Sequence, residues 1–381
     1  MFDNSTTAGS VSAPRLPAAV LAHLPTPGLV VDLAACDRNI GRAAEYFRGR
    51  HAKLRPHYKA HKCSTLLRRQ VDAGSCVGVT CATAAEAAVL AREGFADVLV
   101  ANQVADPPGL DQLVAAARQT SVTVAVDDPW HVDVLEARAA RAGVRLGVLI
   151  EIDVGMDRCG LAPRSPGLLA LAEMVVSSAN LELHGLQGYE GHAVLRPTRE
   201  ERTEHVKRAA EILGAEREAL VRSSLPCPVV SGGGTGTFDL VDEFGVLDEV
   251  QAGSYALMDA RYATLDLPFE NALFCATTVV SHRRPDAAAL NAGLKALTVE
   301  YGMPASTMAG VEVLKLADEH AWVSVAEAAP IAVGDTVFLI PAHIDPAVNL
   351  HDVLHVWDAD DERMQAWEVD GRRGHDPAEA S

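Results

Sequence analysis

One alternation constrains the fold more than any other feature of this chain. From Leu29 to about Ala252, short apolar β-rich runs take turns with longer Ala/Leu/Arg/Glu stretches of helical period, and no motif repeats at the sequence level. Such alternation means βα units and a parallel sheet. The first helical stretch shows the logic. Asp37 is a plausible cap near its start, and Ile40, Ala43, Ala44 and Phe47 recur at i, i+3, i+4 and i+7, putting one apolar stripe on a sheet.

After an entry strand at Leu29 to Val31, eight strand candidates follow, around Lys53, Val77, Val98, Val122, Leu146, Leu183, Val229 and Val250. Eight parallel strands over that span fit an α/β fold of the (β/α)8, TIM-like barrel type. Past about Asn271 the texture changes. TTVVSH, KALTVE, AWVSVAE, DTVFLI and DVLHVWD are separated by short Gly, Pro and Asp turns, with no long helical pattern, so a C-terminal all-β domain is expected. The expected partition is a barrel over 26–271 and a β domain over 272–381, the latter joined by residues 1–25. A chain of 381 residues has room for both.

The formal charge of −18, uninterrupted by any Lys/Arg-rich stripe, repels nucleic acid and anionic lipid. The N-terminus lacks a basic start followed by an apolar core, and no apolar run is long enough to span a bilayer, so a cytoplasmic location is expected. Seven cysteines form no C-x-x-C pair and are odd in number, which argues for reduced thiols rather than a zinc finger or a disulfide framework.

In a barrel of this type the reacting groups sit where strands end. KLRPHYKAHKC ends the first strand in Lys59, flanked by His57 and His61. Partial desolvation and neighbouring positive charge would lower its pKa toward the neutral amine that Schiff-base chemistry needs, although a lone lysine is more often a solvated surface charge. PVVSGGGTGTF places Ser231, Gly233, Gly234 and Thr235 directly after a strand, and QAGSYALMD repeats the theme with Gly253, Ser254 and Tyr255. Glycines and small hydroxyls in such loops close around a phosphate; two tight βα turns are the alternative. EIDVGMDRCG brings Arg158, which holds an anionic oxygen or pairs with an aspartate, and GLQGYEGHAV brings Tyr189 and His192, a ring partner and a proton shuttle or a buried structural histidine. In LIPAHIDPAVNLHD, His343 and Asp345 stand two apart, so on an extended segment both point to one side and form part of a site for Mn²⁺, Mg²⁺ or Zn²⁺.

At these residues the chain resembles the fold-type III pyridoxal 5'-phosphate enzymes, the alanine-racemase-like barrel group, and within it the D-threonine aldolase and D-serine dehydratase family. The resemblance runs from TPGLVVDL at Thr26 to LHDVLHVWD at Asp358 and rests on PHYKAHKC, EIDVGMDRCG, SGGGTGTF, QAGSY, DEHAWV and AHIDPAVNLHD in that order. It implies that Lys59 carries the cofactor covalently, that Ser231 to Thr235 with Gly253, Ser254 and Tyr255 bind its phosphate, and that His57, Arg158 and Tyr189 lie beside it. His343 and Asp345 would hold the metal. In the dehydratase branch the second metal position is typically a cysteine bound to zinc; the oxygen ligand Asp345 is better matched to Mn²⁺ or Mg²⁺.

The reading is therefore a retro-aldol cleavage of a small-molecule substrate, a D-β-hydroxy-α-amino acid, to glycine and an aldehyde, with Lys59 and His192 as catalytic residues. Its nearest rival is β-elimination by a D-serine or D-3-hydroxyaspartate dehydratase. A racemase would not need the H-x-D pair. A non-catalytic cofactor carrier would not need a second domain, and a phosphosugar-binding barrel would lack a covalent cofactor. The resemblance also implies a homodimer.

Overall fold

The computed structural model describes residues 14–372. The chain opens with a short helix, α1 (Ala18–Leu21), a strand, β1 (Gly28–Asp32), and a helix, α2 (Leu33–Phe47). Helix α2 begins earlier than expected, because the Asp32 carboxylate accepts the Ala35 N–H at 3.0 Å and caps it, leaving Asp37 inside. Its stripe of Ile40, Ala43, Ala44 and Phe47 is buried, as the i, i+3, i+4, i+7 spacing requires.

The chain divides into two compact units, one of residues 43–59 and 66–253, the other of the described residues before 43 together with 60–65 and 254–372. The first is the barrel. All eight expected strands are present, as β2 (Lys53–Leu54), β3 (Val79–Cys81), β4 (Asp97–Val100), β5 (Ser121–Val126), β6 (Leu146–Glu151), β7 (Leu181–Gly188), β8 (Val229–Gly232) and β9 (Glu249–Val250). They pair in parallel in the order β2-β9-β8-β7-β6-β5-β4-β3. Isolated bridges from Leu54 to Cys76 and from His57 to Thr80 close the ring. Six helices alternate with the strands: α3 (Ser64–Asp72), α4 (Ala84–Arg92), α5 (Pro107–Ala117), α6 (Pro129–Ala142), α7 (Gly167–Ser177) and α8 (Arg199–Arg222). Their ends are chemically marked. Asp128 accepts the Trp130 N–H at 2.8 Å, Pro129 starts α6, and Gly143 at φ +66° stops it.

The barrel is not lined by apolar residues alone. Arg55 on the run after β2 is held bidentately by Glu249 of β9 at 2.7 and 2.8 Å and reaches Asp97 of β4 at 3.0 Å. Thr123 of β5 also meets the His184 ring of β7 at 3.0 Å, in space that exists because Gly147 of β6 has no side chain.

The second unit is built on a mostly antiparallel sheet. Its strands are β1, β10 (Leu273–Arg284), β11 (Ala287–Leu290), β12 (Ala305–Ser306), β13 (Val311–Leu316), β14 (Ala321–Val325), β15 (Thr336–Ile340), β16 (Val353–Asp358) and β17 (Arg363–Glu368), with one short helix, α9 (Ile344–Val348), before β16. The order is β13-β14-β11-β10-β1-β16-β17, with β15 also on β10 and β12 on β15. The entry strand thus differs from its expected place. Leu29 pairs with Cys275 of β10 and Leu354 of β16, so β1 is a central strand of this sheet. Leu16, Leu21 and Leu24 pack on the cluster of Val30, Phe274, Ala276, Phe338 and Ile340. KALTVE is not a strand. Leu294 and Lys295 donate their N–H groups to Ala317 and Asp318 at 2.7 and 3.1 Å, so the segment docks against the turn before β14 instead of joining a ladder.

All seven cysteines are free thiols, five of them buried, with only Cys159 exposed. No helix among the described residues is long and apolar enough to cross a membrane.

Candidate active site

Lys59 lies in the turn Tyr58–Ala60 and is the one half-buried residue in an otherwise buried run from Leu54 to Ala60. The His57 N–H is fixed to the Ala252 carbonyl at 3.1 Å, and the His57 Nδ1 accepts the Lys59 N–H at 3.4 Å, so the backbone under the lysine is tied to the strand next door.

The glycine loop after β8 is buried from Ser231 to Phe238. Gly233 is left-handed at φ +74°, where a side chain would strain the backbone. A Cβ at Gly232 would strike the Gly188 carbonyl, and one at Gly236 the Val194 carbonyl. A residue that the sequence reading gave no role organises this loop. Glu190, fully buried after β7, accepts the Gly233 N–H at 3.2 Å and the Thr237 hydroxyl at 2.7 Å, and Thr237 in turn accepts the Gly234 N–H at 3.3 Å. The N–H groups of Gly233 and Gly234 are therefore turned inward, and these glycines shape the loop. Burial pushes the Glu190 carboxyl above its ordinary pKa. Ser231 accepts from the Gln251 amide at 2.9 Å, and the same amide reaches Gln187 at 3.1 Å. Thr235 is buried within the loop.

Arg158 stands on the loop after β6, with its guanidinium carbon 5.9 Å from the centre of the Tyr189 ring. Tyr189 also lies beside Gly234, where a Cβ would meet its ring at 3.5 Å. His192 packs against Gly155 of the Arg158 loop and edge-on to His205, with ring centres 5.0 Å apart. Its Nδ1 is buried without a hydrogen-bond partner among the described residues. Burial, and then the positive neighbours His205, Arg196 and Arg208, lower its pKa against the weaker opposing pull of Asp153.

In the second unit, Ser254 lies with its hydroxyl 3.5 Å from Asp345, beside the proposed metal pair, and the buried Tyr255 packs on Phe269 with ring centres 5.5 Å apart. His343 and Asp345 converge, their Nε2 and Oδ1 atoms 3.6 Å apart, but not by strand alternation. His343 is the extended residue before α9, and Asp345 sits in that helix's first turn, which swings the two side chains together. The His343 Nδ1 is taken by Glu300 at 2.9 Å, and Tyr301 stacks on the ring at 4.2 Å. Glu319 of DEHAWV pairs with Lys295 at the surface.

A half-buried lysine, a buried glycine loop too close-packed for side chains, and an arginine beside an aromatic ring form a donor set that fits an aromatic aldehyde bearing a phosphate. The other pair fits a metal through its wiring. With Nδ1 held by a carboxylate, the imidazole presents Nε2 toward the second donor, the arrangement by which metal-binding histidines are oriented. No third His, Cys, Asp or Glu completes a ligand set among the described residues. The buried Asp259, which accepts the Ile344 N–H at 3.4 Å, is pushed up to about 7 by burial.

Comparison with known proteins gives this arrangement a family. The model of the alanine racemase N-terminal domain matches residues 31–260, and a model for a serine dehydratase domain matches 272–357. A D-threonine aldolase from an Arthrobacter species is 37% identical over 94% of this chain and 96% of its own, and a 3-hydroxy-D-aspartate aldolase of Paracoccus denitrificans is 35% identical over 89% and 90%. The crystal structure of D-threonine aldolase from Filomicrobium marinum superposes with a TM-score of 0.88 at 34% identity, covering 92% of this chain and 96% of that one. The chain belongs to the alanine racemase-like, fold-type III pyridoxal phosphate enzymes.

Proposed function

We propose that this chain is a pyridoxal 5'-phosphate- and divalent-metal-dependent carbon–carbon lyase that cleaves D-threonine-like D-β-hydroxy-α-amino acids to glycine and an aldehyde, with Mn²⁺ as its preferred ion. The cofactor, when bound, supplies an electron sink for the bond pair released at the substrate's Cα, and the metal supplies a Lewis acid. The chain's own residues do the rest. Lys59 would hold the cofactor covalently through its amine. Ser231 to Thr235 with Gly253, Ser254 and Tyr255 shape the phosphate end, and His57, Arg158 and Tyr189 flank the ring. His192, kept neutral near pH 7 by burial and its cationic neighbours, takes the β-hydroxyl proton as the Cα–Cβ bond breaks.

The observation that carries this reading over β-elimination is the His343–Asp345 pair. An imidazole and a carboxylate favour an ion that holds and acidifies a β-hydroxyl, where a thiolate would favour zinc. The test is product analysis on D-threonine and D-serine. Glycine and aldehyde in equal amounts are expected; ammonia and a 2-oxo acid without glycine would overturn the aldolase reading in favour of a dehydratase. A homodimer is part of the proposal, supported by the exposed Leu294, Val299, Tyr301, Met303 and Leu350 of the second unit.

A further inference from the structure

Arg158 is exposed on a loop at the open end of the barrel, where an arginine would ordinarily sample many positions. Its loop is not free to do so. The base is tied by Asp153 N–H to Leu161 carbonyl at 2.9 Å and Leu161 N–H to Glu151 carbonyl at 2.8 Å. The near limb is folded on Asp153, whose Oδ1 accepts from the N–H groups of Gly155 and Asp157 at 2.9 and 3.0 Å. The far limb, directly after Arg158, is held by a different strand: Gly160 donates its N–H to Asp127 Oδ2 at 2.8 Å. Gly160 is left-handed at φ +101°, and a Cβ there would meet the Asp153 nitrogen at 2.6 Å, so this limb has one available path.

Asp127 is itself fixed. Gln103, after β4, donates one amide to Asp127 at 3.2 Å and to Glu151 at 2.6 Å, and His131, in the first turn of α6, places Nδ1 3.3 Å from the other Asp127 oxygen. The ends of three consecutive strands thus meet in one polar cluster beneath the Arg158 loop. His131 first, and the Gly160 N–H after it, hold the Asp127 carboxyl below the usual carboxylate range against the opposing effect of burial, so it is an anionic acceptor at neutral pH.

We propose that Asp127 is a positioning residue: by taking the Gly160 N–H, and being held by Gln103 and His131, it sets where the Arg158 guanidinium stands for the cofactor. The inference rests on the reading of Arg158 as a cofactor contact. It requires that loss of Asp127 act through Arg158 and not alongside it.

The experiment is a titration of the apoenzyme with pyridoxal phosphate, followed by fluorescence quenching and the visible absorption band, in the wild type, Asp127→Ala, Arg158→Ala and the double variant. Each single change should raise the cofactor Kd about tenfold, and the double variant should bind no more weakly than Arg158→Ala, a coupling of about 1.4 kcal/mol. Asp127→Asn, which keeps an oxygen for Gly160, should bind within about twofold of the wild type on the same scale. An unchanged Kd in Asp127→Ala, or the same factor lost with and without Arg158, overturns the proposal, as does an Asn variant as weak as Ala. Should Asp127→Ala not fold, Gln103→Ala enters the same cycle with the same expectation. A wild-type chain that takes up no cofactor at all refutes the underlying reading of the site instead, and is separately visible in the first titration.

Discussion

Glu190 is the place to test whether the glycine loop is built as described. Truncation to alanine would leave two buried donors, the Gly233 N–H and the Thr237 hydroxyl, without their acceptor. At about 1–3 kcal/mol for each unsatisfied group, the variant should lose roughly 2–6 kcal/mol, less whatever Thr237 recovers by turning to the Gly234 carbonyl, 3.5 Å away. Glu190→Gln should lose far less. Its oxygen can still accept from Gly233, its amide can donate to Thr237, and the hydroxyl proton then has the Gly234 carbonyl. The pH dependence has a definite sign. Burial raises the Glu190 pKa above its unfolded value, so its contribution to stability is full below the unfolded pKa and falls as pH rises through the folded one. Glutamine does not titrate, so the Gln variant should gain on the wild type between pH 5 and 8. Urea unfolding of the three apoproteins at both pH values measures this, and pyridoxal phosphate titration reports whether the loop still holds its ligand. An alanine variant as stable as the wild type, with unchanged cofactor affinity, would refute the account of Glu190 as the brace of the loop.

Other expectations are more direct. Lys59→Ala should abolish the borohydride-reducible cofactor adduct while leaving the far-UV circular dichroism intact; a coloured, reducible adduct in the variant would mean that another lysine is the anchor. A chelator should remove activity but not the cofactor's absorption, Mn²⁺ should restore it, and Asp345→Ala should imitate the chelated enzyme; full activity in excess chelator excludes the metal's role. Because burial and then His205 lower the His192 pKa, the acid limb of kcat/KM should fall below pH 6.5, with activity rising as the imidazole deprotonates. His205→Glu should move that limb upward, and a limb that stays in place would remove His192 as the base.

The parallel strands were legible because each is a short apolar run bounded by helical periodicity, a signal that needs no knowledge of partners. What the sequence hid was partnership. GLVVD suits either sheet, and only pairing with β10 and β16 places it. AAAL of β11 carries no β-branched residue and takes its form from β10 and β14. H-x-D converged for a reason other than the alternation expected, since a helix start and an extended residue bring positions i and i+2 together as well as a strand does. Glu190 lies 43 positions from Gly233, and Asp127 lies 33 from Gly160, so their roles appear only when strands are side by side. An acidic residue near the end of each preceding strand was the sole local hint.

The ring closes through β2 and the run that leads from it to Lys59, and this closure is sparse. On one side, residues 53, 55 and 57 donate to Asp248, Val250 and Ala252; on the other, three bonds link Leu54 and Pro56 to Ser75, Val77 and Thr80, and Pro56 has no N–H to add a fourth. By contrast β6 and β7 pair at six positions, with one shift of register between Val148 and Leu149. Amide protons at this junction should therefore exchange with solvent before those of the opposite wall, in openings that free β2 and the run to Lys59 while the remaining strands stay paired. A ligand joined covalently to Lys59 and gripped by the loops after β8 and β9 would act as a clasp across that junction, slowing exchange at residues 53–57 and 75–80 more than anywhere else in the barrel.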